Sequence, residues 1–131
     1  MKTGDIIYAK NHADFLNKTF GTNYKGWMKS SWKYNLDKEW SVWMVRFNKT
    51  DGGWTNTFVT PNRIMEENIG GVTTWSGKSL KFIHKNKIVI EVYDTGYSRE
   101  YIFRGLYKYD EKESNPYKAR YYDKVADELK V

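Results

Sequence analysis

The segment from residue 24 to residue 34 interleaves basic and aromatic side chains. It holds three lysines at four-residue spacing and four aromatic residues around them: Lys25, Lys29, Lys33, Tyr24, Trp27, Trp32 and Tyr34. Ammonium groups neutralise phosphates and flat rings stack on bases, so the pattern favours nucleic acid as a ligand. In the alternative, Trp27 and Trp32 close the end of a barrel while the lysines cover its rim. The sequence leaves both open.

A second set of basic and aromatic residues occupies the last third of the chain. Its members are Arg99, Arg104, Lys108, Lys118 and Arg120, beside Tyr107, Tyr109, Tyr117 and Tyr121. Arg104 interrupts an apolar run next to Gly105, where the permissive glycine backbone lets a ligand approach closely. The alternative is an ion pair between Arg104 and Glu91, or another carboxylate, across a sheet.

Trp54 and Asn56 complete the candidate ligand site, because one can stack on a base and the other can hydrogen-bond its edge. The aromatic residues of the site are predicted to stack, and its lysines and arginines to contact phosphate. The predicted binding residues are Trp27, Lys29, Trp32, Lys33, Tyr34, Trp54, Asn56, Arg104 and Arg120.

Motifs for catalysis or for metal binding are missing. The chain has no cysteine, and its two histidines, His12 and His84, belong to no metal-binding spacing. Glu91 and Asp94 lack the acidic-x-Lys doublet of a metal nuclease, and Glu66 is expected on a short helix facing water. We therefore expect no metal, no cofactor and no catalysis. An enzyme acting on a nucleotide or a sugar is the third alternative, and it would need two carboxylates in one cleft.

Length and charge set broader limits. The chain of 131 residues is expected to form a single domain, residues 1–131. Its net charge of +6 suits an anionic partner or a solvated lysine-rich surface, and its 18% of aromatic residues exceeds what a core alone would hide. The first ten residues lack the apolar run of a signal peptide, and no stretch has the length of a membrane span. We expect a soluble, cytoplasmic protein with no membrane partner.

The segment Glu39–Thr60 predicts the element that positions the site. Two β-prone runs flank Asp51-Gly52-Gly53, which indicates a β-hairpin. The first run is apolar on both sides, with Trp40, Val42 and Met44 on one and Trp43, Val45 and Phe47 on the other. A strand of this kind has both faces covered, as in a barrel or a layered sheet.

The remaining elements predict an α+β fold, mainly antiparallel β: a small curled sheet or partly closed barrel with two short helices. Strands are expected at Gly4–Ala9, Leu80–His84, Lys87–Tyr93, Arg99–Tyr109 and Pro116–Asp123, with a bend at Gly105 and a charged turn at Asp110–Asn115. Helices are expected at Asn11–Phe20 and Pro61–Glu67, a long loop at Asn23–Asp37, and a helical turn at Val125–Leu129.

Two stretches resemble PUA-like and SRA-like modules. The closing third resembles their aromatic-x-Gly-x-aromatic bend, charged turn and basic-aromatic return strand, at Phe103–Tyr107, Asp110–Asn115 and Tyr117–Tyr122. The opening GDIIYA is similar to their first strand. The resemblance implies a PUA-like β-barrel that reads modified nucleic acid, flips a base into an aromatic pocket and often accompanies a nuclease in restriction systems. It covers about a third of the chain and assigns no pocket residue.

The first hypothesis is therefore a nucleic-acid-binding module that reads a modified or flipped base in DNA or RNA, alone or with a protein partner such as a nuclease. The alternative is a small protein-interaction or inhibitor protein from a phage or mobile element, because exposed Trp, Tyr and Arg also suit protein interfaces.

Overall fold

The computed structural model describes residues 1–34, 39–51, 53–69 and 85–131. In chain order the elements are β1 (Ile6–Ala9), α1 (His12–Phe20), β2 (Ser31–Lys33), β3 (Trp40–Val45), β4 (Thr50–Asp51), β5 (Trp54–Thr60), β6 (Arg63–Asn68), β7 (Asn86–Asp94), β8 (Arg99–Tyr109) and β9 (Ala119–Ala126). The predicted strand Leu80–His84 lies outside these residues. Within the described ranges, no helix has the length and apolar character required to cross a membrane.

The nine strands of the described residues form one curled sheet, in which the end strands β2 and β4 are not paired with each other. The order is β2-β3-β7-β8-β9-β6-β5-β4, with β1 paired to β8. All neighbours are antiparallel except β3 and β7, which run parallel. The predicted fold, a small curled sheet that is mainly antiparallel, is confirmed. It contains one helix in the described residues, where two were expected.

The sheet separates two hydrophobic cores. The outer core lies between the sheet and α1, and it includes Val42 and Met44 of β3. The inner core lies within the curl, and it includes Trp43 and Val45 of the same strand. Successive side chains of a strand point to opposite faces, so β3 contributes to both cores. The prediction that both faces of this strand are covered is confirmed.

Helix α1 spans His12–Phe20 and so confirms the predicted helix, apart from Asn11, which is its N-cap. The side chain of Asn11 accepts a hydrogen bond from the backbone N–H of Asp14, which caps the first turn. Gly21 adopts a left-handed conformation (φ +68°) and its N–H donates to the carbonyl of Asn17. The buried face carries Phe15, which stacks on Tyr101 of β8 with ring centres 4.5 Å apart. This contact fixes the helix on the sheet.

Strand β8 contains the predicted bend at Gly105. Opposite it, Val89 pairs with Gly105 and Ile90 with Phe103, so Arg104 is the extra residue of a β-bulge. Gly105 has φ +123°, and a Cβ there would lie 3.0 Å from the carbonyl oxygen of Ala126. A side chain at this position would therefore be strained by the backbone conformation and would have little room.

The predicted hairpin Glu39–Thr60 is wrong. Its two runs form β3 and β5, but β3 pairs with β2 and β7, whereas β5 pairs with β4 and β6. The Gly-containing turn joins β4 to β5 instead. A strand that is apolar on both faces suits an interior position in the sheet, and β7, more than 40 residues further on, provides its second neighbour.

Three further predictions are corrected. Residues 61–67 were expected to be helical, but Pro61 and Asn62 form a turn and β6 follows it, paired on both sides. The expected helical turn at Val125–Leu129 is the end of β9 and a bridge between Lys2 and Glu128. The expected loop at Asn23–Asp37 contains β2. In each case pairing with a distant strand overrides a local preference.

Candidate functional site

A cavity of about 190 Å³ opens between β3 on one side and β5 and β6 on the other. Its lining includes Ser30, Trp43, Arg46, Trp54, Asn56 and Glu66. We call it the interior cavity. Trp43 also belongs to the inner core, so this cavity adjoins that core.

Three side chains lie in one row across β5, β6 and β9, and the first two of them line the interior cavity. Asn56 of β5 pairs with Glu66 of β6, and Glu66 pairs with Arg120 of β9. Arg120 donates from Nη1 to Glu66 Oε1 (3.1 Å) and from Nε to the carbonyl of Pro116 (2.9 Å). The side chains of Arg120 and Glu66 are only 11% and 14% exposed. A buried ion pair therefore stands beside the amide of Asn56.

The amide of Asn56 is the polar group in this cavity whose hydrogen bonding is incomplete. Asn56 is 5% exposed, and its backbone carbonyl accepts from Asn48 N–H (2.8 Å). Its side-chain oxygen is buried and has no hydrogen-bond partner among the described residues. A buried acceptor left unpaired costs about 1–3 kcal/mol. A ligand that donates to this oxygen would remove that cost.

Two further polar side chains, Lys87 and Tyr122, lie beside Trp43 on the side of the inner core. The Lys87 ammonium lies 5.3 Å from the centre of the Trp43 ring and 6.0 Å from that of Tyr122. Burial lowers the pKa of Lys87 to about 8, opposed by Glu66 and assisted by Arg120. Burial also raises the pKa of Tyr122, and the negative charge of Glu66 adds to the effect, so the phenol is neutral.

We call Asn56, Glu66, Lys87, Arg120 and Tyr122 the interior polar cluster. Ser41, which pairs with Lys87 across β3 and β7, is fully buried beside it, and its hydroxyl has no partner within the described part of the chain. Aromatic side chains around a few hydrogen-bonding groups are typical of a site that binds a flat, polar ligand.

A second cavity, of about 370 Å³, lies next to the first. It is lined by Trp27, Arg46 and Arg99 and by His12 at the start of α1, and we call it the outer groove. Burial lowers the pKa of His12 to about 4, with the positive charges of Arg99 and Arg46 adding to the effect. The ring is therefore neutral, and its Nδ1 is 2.8 Å from the hydroxyl of Tyr101. Arg46 lines both cavities.

Arg104 lies elsewhere. It lines a third cavity, of about 340 Å³, together with Glu91, Tyr107 and Lys124, and none of these residues lines the interior cavity. Arg104 Nε donates to Glu91 Oε1 at 2.8 Å. The alternative in which Arg104 forms an ion pair with Glu91 across the sheet is confirmed.

The structure divides the other predicted site residues. Trp54 and Asn56 line the interior cavity, and Arg120 contacts the lining residues Trp54 and Glu66. Trp27, Lys29 and Lys33 are exposed, as their predicted contacts require.

Trp32 and Tyr34 belong to the outer core, where Trp32 Nε1 donates to the hydroxyl of Tyr24 (2.8 Å). Their burial leaves no ring face open to a base, which corrects the prediction that they stack on ligand. The reason is β2: its alternation turns Trp32 inward and turns Ser31 and Lys33 outward.

Sequence reasoning missed Trp43, Glu66, Lys87 and Tyr122. The available signal for Glu66 was its two-residue spacing from Ile64 and Asn68, which places the three residues on one face of a strand. Pro61 obscured this signal because it suggested the start of a helix. No group of three or more His, Asp or Glu side chains suited to a metal ion occurs in the described ranges.

The chain is similar to known proteins in sequence and in fold. The family model described as SRA, SET and RING associated domain, matches residues 1–131. Among solved structures, the 5-hydroxymethylcytosine-specific restriction enzyme AbaSI is similar, with a TM-score of 0.73 and 20% sequence identity. The match covers 96% of this chain and 40% of that chain, and at this identity it shows a shared fold. No match was found among curated proteins.

Proposed function

The chain belongs to the SRA (SET and RING associated) domain family, and from this membership we propose that its interior cavity receives a modified cytosine. Members of this family read modified bases in DNA and are binding modules rather than catalysts. The base would leave the duplex to enter the cavity. Inside a duplex a base is stacked and paired, so extrusion is required before protein groups can surround it, at a cost of about a few kcal/mol.

The observation that carries the proposal is the buried amide of Asn56. It presents a donor and an acceptor side by side, and its oxygen has no partner in the described part of the chain. Trp43 and Trp54 provide apolar walls on the same cavity. A base offers a flat face to the rings and a row of donors and acceptors to the amide.

Glu66 suits a base that carries an exocyclic amino group, as cytosine does, and disfavours thymine, which has none. A carboxylate accepts hydrogen bonds, and the exocyclic N4 amino group of cytosine donates them. Arg120 holds Glu66 in place through Nη1, so the carboxylate is oriented before the ligand arrives. The similarity to an enzyme named for 5-hydroxymethylcytosine supports the same choice.

The partner of the reader is proposed to be a nuclease. The similar solved protein is a restriction enzyme, and this chain spans 40% of its length. A reader that places a nuclease on modified DNA would couple recognition to cleavage.

The test is binding of the pure protein to matched DNA duplexes measured by fluorescence anisotropy. The duplexes are identical apart from one central cytosine, which is unmodified, 5-methylated or 5-hydroxymethylated. We expect at least one modified duplex to bind about tenfold more tightly than the unmodified one. Asn56→Ala should weaken binding to the preferred modified duplex about tenfold or more, since one well-placed pair of hydrogen bonds to a base provides about 1–3 kcal/mol.

Asn62→Ala is the matched control, because Asn62 is an exposed asparagine in the turn before β6. It should bind like the wild type. Thermal unfolding of both variants checks that they are folded. Equal affinity of the wild type for all duplexes contradicts the proposal, and an RNA duplex bound as tightly as DNA would replace DNA as the ligand. Absence of binding to any nucleic acid would favour the protein-interaction alternative.

A further inference from the structure

Trp27 presents its ring to solvent on the wall of the outer groove. The residue is 83% exposed, whereas Trp43 and Trp32 are buried. Gly26, with φ +84°, precedes it, so the backbone turns at a conformation that other residues rarely adopt. An exposed indole beside arginines matches the stacking surfaces on which single-stranded bases are bound.

Arg46 and Arg99 form the charged side of the groove and are held by one carboxylate. Arg46 Nε donates to Asp94 Oδ2 at 3.0 Å, and Arg99 Nε lies 3.0 Å from Asp94 Oδ1. The guanidinium groups lower the pKa of Asp94, chiefly through the hydrogen bond from Arg46, so Asp94 stays ionised at neutral pH. Two cations and one anion leave one net positive charge. Each guanidinium has five donors, so donors remain for a phosphate.

Arg46 also connects the groove to the interior cavity, because its side chain lines both. A DNA strand whose modified base occupies the interior cavity must leave that cavity past its rim. On such a path the next phosphate would lie near the arginine pair and the next base near Trp27.

From this arrangement we infer that the outer groove is a second nucleotide subsite, which binds the nucleotide adjacent to the modified one in the same strand. Its base stacks on Trp27 and its phosphate is held by Arg46 and Arg99. The inference rests on the proposed function, and it adds a contact outside the base-reading cavity. It predicts that affinity depends on a base that carries no modification.

The test combines a change in the protein with a change in the DNA. Modified duplexes are prepared with an abasic site one position before or one position after the modified cytosine. For the wild type, one of the two abasic sites should weaken binding about tenfold, as expected for loss of one stacked base. Trp27→Ala should weaken binding to the intact duplex by a similar factor. On Trp27→Ala the same abasic site should have no further effect, because the stack is already lost.

Two control variants complete the experiment. Trp27→Phe keeps an aromatic ring and should retain most of the affinity. Tyr8→Ala removes an exposed aromatic residue that lines neither cavity and should show the full abasic effect.

The subsite is overturned if Trp27→Ala and the abasic sites weaken binding independently, or if neither abasic site has an effect. A wild type that does not distinguish modified from unmodified DNA rejects the proposed function itself, so the two failures are separate.

Discussion

The guanidinium carbon of Arg120 lies 4.2 Å from the centre of the Trp54 ring. The same guanidinium donates to Glu66, so one side chain on β9 fixes an aromatic wall from β5 and a carboxylate from β6. A cation over an indole contributes about 0.5–2 kcal/mol, depending on burial. Trp54 and Glu66 are therefore oriented without ligand. This preorganisation reduces the free-energy cost of ordering side chains on binding.

The ion pair between Glu66 and Arg120 predicts a large effect of neutralising the carboxylate. Glu66→Gln keeps the shape but removes the negative charge that pairs with the guanidinium of Arg120. Removing one partner of a buried pair lowers the free energy of unfolding by about 3 kcal/mol. Urea unfolding at pH 7 measures the change. Glu67→Gln, at the exposed neighbouring position, should change it by less than about 0.5 kcal/mol. Equal losses in the two variants would show that the pair has no special role.

Lys87 predicts that stability rises with pH in a defined window. Burial lowers its pKa from 10.5 to about 8 in the folded protein. Between these values the unfolded chain binds a proton that the folded chain does not, so the free energy of unfolding increases with pH. The gain from pH 8 to pH 10 is roughly 2 kcal/mol. Above pH 10 the raised pKa of Tyr107, about 12 through burial, acts in the opposite direction.

The measurement for Lys87 is the urea midpoint at several pH values between 7.5 and 10, for wild type and Lys87→Met. The variant has no amine to titrate, so its stability relative to wild type should fall across this range. Lys108→Met, which removes an exposed lysine on β8, should run parallel to the wild type. A parallel profile for Lys87→Met as well would contradict the lowered pKa.

Gly105 predicts a steric effect that can be separated from backbone strain. Gly105→Ala introduces both a positive φ for a non-glycine residue and a Cβ 3.0 Å from the Ala126 carbonyl oxygen. Gly96→Ala introduces the positive φ alone, because nothing lies within 4 Å of its Cβ position. We expect losses of about 3 and about 1 kcal/mol, respectively, in the free energy of unfolding. Chemical denaturation measures both, and the larger loss at Gly96 would refute the packing argument.

The exposed lysines of the β2 region predict a change in the salt dependence of DNA binding. If Lys29 contacts a phosphate, Lys29→Gln should reduce the slope of log K against log salt by about 0.9. The same holds for Lys33→Gln. Lys112→Gln, in the turn between β8 and β9, serves as the control and should leave the slope unchanged. Anisotropy titrations at four salt concentrations give the slopes. Unchanged slopes in all three variants would mean that these lysines only solvate the surface.

Features that depend on near neighbours were predictable from the sequence. The segment that forms α1, the bend at Gly105 and the double apolar face of β3 all follow from local side-chain patterns. Trp54, Asn56 and Arg120 were also predicted as binding residues, because aromatic and amide side chains suit a base and arginine suits its phosphate, and they lie close together in the structure. The resemblance of the closing third to SRA-like modules gave the family.

Strand partners and the contents of the interior cavity were decided only by the tertiary structure. Alternation specifies which face of a strand a residue occupies, but not which strand lies beside it. The parallel pairing of β3 with β7 places Lys87 beside Ser41, and the pairing of β6 between β5 and β9 places Glu66 between Asn56 and Arg120. These contacts join residues 10 to 54 positions apart. Their energies depend on distance in space, which no local pattern in the chain records.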